Sequence, residues 1–239
     1  MRLSAVCAAA LLAAAPVAAF AGTTVTVSAI DSIWLAGQAA GASVSGYFGT
    51  DKIPGNGPVL LNLTSGPITF SATGSTSVDR SCFAGPDGGC YGDQSSFSPS
   101  PWGGEYNGPS DALIGIFLGP SAPTLGTSGG YQGPTDYVAG PDYQNPANLG
   151  PGSYSPALNQ IFIIGDGGGE TFTAPSGATR LYLAVADSIG GSTRNEGSLI
   201  VNFTGAANVP EPSTWAMLLT GFLGMGAMTR SARRRQAIV

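Results

Sequence analysis

The chain has 239 residues, with 14 acidic and nine basic side chains and a net charge of −5. It contains no histidine. This absence excludes Ser-His-Asp and Cys-His catalysis and removes a common zinc ligand. The length is sufficient for a domain with a sizeable core.

The first 21 residues are typical of a secretory signal peptide. Arg2 supplies the positive start, residues 5–15 form an apolar stretch, and Ala19 and Ala21 complete an Ala-x-Ala cleavage site. We therefore expect signal peptidase to cleave after Ala21 and the remaining chain to be exported.

The segment 22–208 is predicted to be the folded domain. It has 13 acidic and four basic side chains, so its net charge is −9. An anionic surface of this kind repels nucleic acid and attracts cations such as calcium. We expect no nucleic-acid partner.

Two cysteines, Cys82 and Cys90, lie in a loop rich in glycine and proline. An even pair in an exported chain indicates a disulfide, and closing so short a loop contributes roughly 2–3 kcal/mol in the chain-entropy model. The alternative, a redox pair, lacks the Cys-x-x-Cys spacing.

Short segments rich in β-branched and aromatic residues predict strands, and no part of the domain has a helical period. Turn residues separate these segments. The pattern predicts an all-β fold, an antiparallel β-sandwich with long Gly/Pro-rich loops. The predicted strands are residues 23–28, 59–63, 67–72, 113–118, 160–164, 171–173, 180–186 and 199–203.

Two long segments, 81–110 and 119–157, are rich in glycine and proline, and no strand is predicted in the second. Such loops are either surface insertions without a partner or functional elements. Their aromatic side chains could form a sugar-facing surface, because aromatic rings stack on the apolar faces of sugars. These side chains are Tyr91, Trp102, Tyr106, Tyr131, Tyr137, Tyr143 and Tyr154.

The region 181–203 combines a strand, an acidic residue, a polar glycine-rich loop and a last strand. It resembles the calcium loop of the bacterial galactophilic lectin domain, a galactose-binding-type β-sandwich. Segments 65–74, 101–105 and 113–119 resemble, in the same order, the turn, the Trp-Gly loop and a strand of that family.

The resemblance implies a calcium site. Asp187 matches the lectin's calcium-binding aspartate and Asn195 matches one of its asparagine ligands, whereas Gly191 and Val78 fall where backbone carbonyl ligands lie. Arg194 stands where the family has a further asparagine, and the lectin's sugar-contacting histidine has no counterpart. Without a metal, Asp187 would only cap a turn.

Two further functions stay open. Carboxylate pairs such as Asp136 with Asp142, or Asp166 with Glu170, could serve a histidine-free glycoside hydrolase. The domain could also be a purely structural matrix protein with no ligand. The resemblance favours a non-enzymatic protein that binds calcium and carbohydrate.

The last segment, 209–239, begins with the motif Val209-Pro210-Glu211-Pro212-Ser213. The prolines keep this motif extended. An apolar run, 215–229, and an arginine cluster, 230–235, follow. This order resembles the PEP-CTERM sorting signal of Gram-negative bacteria, whose C-terminal signature is also labelled an ice-binding-protein C-terminal domain.

The resemblance implies processing by an exosortase near the Pro-Glu-Pro motif. The 15-residue run predicts a short transmembrane helix of about 22 Å, against roughly 30 Å of hydrocarbon. The arginines would stay in the cytoplasm. We therefore expect a precursor held transiently in the inner membrane. Its product would be delivered to the cell surface, outer envelope or extracellular polysaccharide matrix of a Gram-negative bacterium.

Overall fold

The computed structural model describes residues 22–63, 66–90, 106, 108–128, 130–138 and 150–205. The predicted signal peptide, the sorting motif and the apolar run 215–229 lie outside these ranges. Across the described ranges the chain is mostly β, which confirms the all-β prediction, and its only helices are two 3-10 turns, Ile33–Leu35 and Ser192–Arg194. None of the described helices is long and apolar enough to cross a membrane.

The described residues form thirteen strands in three sheets. The strands are β1 Thr23–Ser28, β2 Ser43–Gly46, β3 Gly49–Lys52, β4 Val59–Asn62, β5 Pro67–Ser77, β6 Leu113–Leu118, β7 Leu125–Ser128, β8 Tyr131–Pro134, β9 Gly152–Tyr154, β10 Ile161–Ile163, β11 Glu170–Thr173, β12 Arg180–Val185 and β13 Glu196–Thr204. One sheet has the order β1-β13-β5-β11-β9, the second β10-β6-β12-β4 and the third β3-β2-β8-β7. The pairing of β11 with β9 is parallel and the other strand pairs are antiparallel.

The main core is built by side chains of the first and second sheets together. In β13, Leu199, Val201 and Phe203 are buried while the residues between them are exposed, as the period of two requires. Phe162 and Phe172 pack against each other in the same core, with ring centroids 5.0 Å apart and planes tilted by 36°. Burying each such side chain contributes roughly 1.5–3 kcal/mol.

The second sheet is buried on both faces. In β6, Leu113 and Phe117 belong to the main core, whereas Ile114 and Ile116 face a second core with Trp34 of the first 3-10 turn. This double burial explains why the sequence of β6 is a continuous apolar run instead of an alternating one. The second core also includes Val44 of β2, so the third sheet packs beyond the second.

The prediction that residues 119–157 contain no strand was wrong. This segment contains β7, β8 and β9. β7 and β8 form a hairpin from Leu125 to Pro134, in a sequence with four glycines and few apolar residues. Local propensity for strand is low there, and pairing with the neighbouring strand determines the conformation.

Cys82 and Cys90 form a disulfide, with Cα atoms 5.7 Å apart. The loop that it closes packs against the residues before β6: the Gly89 N–H donates to the Ser110 carbonyl at 3.0 Å, and the Leu113 N–H donates to the Pro86 carbonyl at 2.7 Å. The disulfide therefore supports the segment that carries Asp111.

Candidate functional site

Buried acidic side chains collect where β12 ends and β6 begins. The Asp111 N–H donates to the Ala186 carbonyl at 3.0 Å, and the Ala186 N–H donates to the Ala112 carbonyl at 2.8 Å. Asp111 has a φ of 68°. Asp111 and Ala112 together lie opposite Ala186, and the first of the two has a left-handed backbone. This is the pattern of a G1 β-bulge, which changes the direction of a side chain. The bulge brings Asp111 near enough to Asp187 for the Asp187 carboxylate to help raise the pKa of Asp111.

Asp111 occupies a bulge position where glycine is usual. Its side chain exposes no surface, and neither carboxylate oxygen has a hydrogen bond of normal geometry. Burial raises the pKa of Asp111 to about 7, although the Val78 N–H and the Ser110 hydroxyl lie near enough to oppose this rise. We regard these two as longer electrostatic contacts, since neither completes a hydrogen bond.

Asp187 is 5% exposed and lies two residues after the end of β12. Its Oδ1 accepts the Ser188 N–H at 2.6 Å, and its backbone carbonyl accepts the Trp34 Nε1–H at 3.0 Å. Its Oδ2 is buried without a partner. Burial raises the pKa of Asp187 to about 6; Asn195 and Ser188 oppose this rise, while the Asp51 carboxylate adds to it.

The Asn195 side chain lies beside Asp187. Its Nδ2 donates to the Ala29 carbonyl at 2.9 Å. A carbonyl can only accept, so this contact fixes which end of the amide is nitrogen. The Asn195 Oδ1 is buried without a donor. The Asn195 side chain is near enough to Asp187 to lower the pKa of that carboxyl, as an amide N–H donor does.

Gly191 lies against the Asp187 carboxylate. A Cβ at this position would be 2.7 Å from Asp187 Oδ2 and 3.0 Å from Oδ1. Glycine is needed here because the backbone approaches the carboxylate closely. A left-handed backbone is not the reason, since φ is −91°. The Gly191 carbonyl accepts the Arg194 N–H at 3.3 Å. The structure thus brings Asp187, Gly191 and Asn195 together.

Val78 lies beside Asp111 rather than beside Asp187. The contact seen is between its N–H and the Asp111 carboxylate, whereas the sequence predicted a role for its carbonyl. Arg194, which stands at a ligand position of the resembled family, is exposed, and its guanidinium lies over the Phe48 ring at 4.3 Å. Its charge therefore points away from the acidic site.

The donor set suits a hard cation that prefers oxygen. Calcium takes carboxylate, amide and backbone carbonyl oxygens in flexible geometry. Asp111, Asp187 and Asn195 supply buried oxygens that lack partners, and neither carboxylate forms an ion pair within the described ranges. No three Asp, Glu, Cys or His side chains form a metal-binding group in the part of the chain that the structure describes. The candidate side-chain ligands are two carboxylates and one amide.

Sequence reasoning missed Asp111 and Asp51. Asp51 is fully buried in β3 and influences the pKa of Asp187. Asp111 precedes the apolar strand β6, which is a local signal that names no partner. Asp51 lies in a polar strand and has no such signal.

The predicted aromatic surface is partly wrong. Tyr106 and Tyr137 are buried, and their hydroxyls donate to the carbonyls of Pro109 at 3.0 Å and Ile33 at 2.8 Å. Tyr131 and Tyr154 are half-buried. Tyr91, Trp102 and Tyr143 lie outside the described residues.

None of the carboxylate pairs considered for hydrolysis includes a residue of this site. Asp136 is exposed, and hydrogen bonding from the Thr124 N–H at 2.7 Å lowers its pKa; Asp142 lies outside the described residues. Asp166 and Glu170 flank Gly168, where a Cβ would be 3.2 Å from Asp166 Oδ1 and 4.0 Å from both Glu170 carboxylate oxygens.

No protein-family model matches the chain, and no curated protein matches it in sequence.

We predict that the chelated protein loses stability as pH rises. The raised pKa values of Asp187 and Asp111 mean that the folded protein binds more protons than the unfolded chain between their ordinary value of 3.8 and about 6 to 7. Their stabilising effect is complete below the ordinary value and is lost as pH rises through the raised one. The melting temperature in chelator should fall from about pH 4 to about pH 7, and saturating calcium should reverse the fall. A rise across this range in chelator would contradict the prediction.

Proposed function

We propose that the chain is an exported, non-enzymatic β-sandwich protein that binds calcium at the cell surface or in the extracellular matrix. The observation that carries the proposal is the set of buried, donor-free oxygens of Asp111, Asp187 and Asn195. Two buried carboxylates without a basic partner are costly unless a cation offsets their charge.

The shared core of the first two sheets supports the sandwich part of the proposal. Asp187, Gly191 and Asn195 occupy the loop between β12 and β13, as the resemblance to the galactophilic lectin domain implies. A hydrolase is less consistent with this site, because carboxylates enclosed to this degree suit metal ligation better than contact with a polymeric substrate.

Calorimetry tests the metal directly. The protein, first freed of metal with a chelator and then desalted, is titrated with calcium and separately with magnesium. We expect saturable calcium binding and weaker magnesium binding, because magnesium demands a stricter octahedral geometry. No heat with calcium would contradict the proposed function.

The sorting tail supports export and delivery. In a host with an exosortase, replacing Glu211 by alanine should make the unprocessed, membrane-held form accumulate on immunoblots. Replacing the exposed Glu196 by alanine is the matched control and should leave processing unchanged. Normal processing of the Glu211 variant would count against the sorting assignment.

Carbohydrate is the second candidate ligand, and an exposed aromatic pair favours it. Tyr47 is 83% exposed and Phe48 is 47% exposed at the turn between β2 and β3. Their rings meet edge to face at 5.1 Å, and Arg194 lies over Phe48. An aromatic face beside a guanidinium donor is a suitable surface for a pyranose ring.

A glycan array should detect this binding, and Tyr47→Ala should reduce the signal several-fold through loss of stacking. Phe83→Ala is the control, since Phe83 is 52% exposed but lies in the disulfide loop. Equal signals from the two variants would show that the β2–β3 hairpin is not the carbohydrate-binding surface. A blank array would favour a protein without a sugar ligand.

A further inference from the structure

The hairpin of β2 and β3 packs directly on the loop that carries the candidate calcium ligands. A Cβ on Gly46 would overlap the Ile189 carbonyl oxygen, and a Cβ on Gly190 would overlap the Gly49 carbonyl oxygen. The backbones therefore approach too closely for any side chain at these positions. Arg194 on Phe48 adds a contact at the outer edge.

Asp51 lies beneath this contact, in β3. It exposes no surface. Donors from two sides face its carboxylate: the Ser32 hydroxyl, and from the loop the Ser192 hydroxyl and the N–H groups of Gly190 and Thr193. Neither oxygen completes a hydrogen bond of normal geometry, so these are long, charge-assisted contacts rather than closed hydrogen bonds.

The donors of the loop are contiguous with its ligands. Gly190, Ser192 and Thr193 flank Gly191 and precede Asn195. A carboxylate that attracts these groups fixes the backbone between Asp187 and Asn195. Outer groups that orient the ligands of a metal commonly change metal affinity by about 10–100-fold when removed.

We propose that Asp51 is a positioning residue that holds the loop 188–195 in the conformation that binds calcium. The inference rests on the proposed calcium function. Asp51 acts through the loop backbone and is not itself a ligand. The β2–β3 hairpin thus connects the exposed aromatic pair to the metal loop.

Terbium luminescence measures the affinity of this site. Terbium replaces calcium, and its emission can be excited through Trp34, whose Nε1–H donates to the Asp187 carbonyl at 3.0 Å. Calcium competition against terbium then gives calcium affinities for each variant. Loss of the signal in Trp34→Phe verifies that the emission comes from this site.

Asp51→Asn keeps the side-chain shape but removes the charge. We expect calcium affinity to fall about tenfold or more, and hydrogen exchange of the Gly190 and Thr193 amides in the calcium-free protein to become faster. Asp136→Asn is the control, because Asp136 also accepts a backbone N–H but lies in the third sheet's region. If Asp51→Asn does not fold, Ser192→Ala should give a smaller loss in the same direction.

The outcomes separate the two proposals. Calcium binding by the unmodified protein with equal affinity in Asp51→Asn would overturn the positioning role and leave the calcium function standing. Unchanged exchange at Gly190 and Thr193 would also overturn it. No calcium binding by the unmodified protein would remove the calcium function, and the positioning role with it.

Discussion

Replacing Asp187 by asparagine is expected to abolish the calcium response of this protein. The variant keeps an oxygen that accepts the Ser188 N–H, a contact of 2.6 Å in the native chain, but loses the carboxylate whose Oδ2 is buried without a partner. A ligand at about 100 times its dissociation constant stabilises a folded protein by about 2.7 kcal/mol. We expect the variant to lose this increment and to show no Trp34-sensitised terbium emission.

The same substitution should have the opposite effect in chelator. At neutral pH, above the pKa of about 6, the native Asp187 carries an uncompensated buried charge. Asparagine removes this charge, so the calcium-free variant should be at least as stable as the calcium-free native protein. Thermal unfolding with and without calcium measures both effects. Asp166→Asn, at an exposed turn, is the control. A calcium-dependent melting temperature in Asp187→Asn would exclude Asp187 as a ligand.

The strands that the sequence predicted are those whose own residues determine the conformation. β1 alternates Thr and Val, and β6 is a continuous apolar run, and both were predicted with the bounds observed. β2, β3, β7 and β8 carry few apolar side chains, with Val44 the buried one in β2. They are strands because they pair with one another and cover the second core, which is a tertiary effect.

The candidate site divides in the same way. Asp187, Gly191 and Asn195 lie within nine residues of one another, so a local motif was sufficient to select them. Asp111 is distant in sequence and reaches Asp187 through the pairing of β12 with β6 and through the bulge at Ala112. Neither the register nor the bulge has a signal in the sequence around Asp111.

The tyrosines show why composition alone misplaced the exposed aromatic surface. Tyr137 occurs in a loop-like sequence, but the Ile33 carbonyl accepts its hydroxyl proton at 2.8 Å and its ring stacks near Trp34 at 6.1 Å. A tyrosine whose hydroxyl has a backbone partner can be buried at little cost. The exposed pair, Tyr47 and Phe48, lies instead in a hairpin that the sequence did not predict.

Substitutions of Asp111 are expected to give the second large effect, because its backbone conformation and its buried carboxylate both destabilise the calcium-free protein. A residue with a side chain at a φ of 68° costs roughly 1 kcal/mol or more relative to glycine. Its buried, unpaired carboxylate adds a further cost in the absence of a cation. Asp111→Gly should therefore raise the stability of the calcium-free protein by about 1 kcal/mol or more.

Asp111→Asn separates the two contributions. Asparagine tolerates the left-handed conformation as aspartate does, so this variant removes the charge and keeps the backbone cost. We expect both variants to lose most of the calcium affinity, and the glycine variant to be the more stable of the two in chelator. Denaturant unfolding with and without calcium measures these differences. Native calcium affinity in both variants would show that Asp111 is not a ligand, and lower stability of the glycine variant than the asparagine variant would show that the bulge imposes no strain. If both expectations hold, the free energy that this position costs in chelator is offset when calcium binds, which gives a physical reason for aspartate at a bulge position that favours glycine.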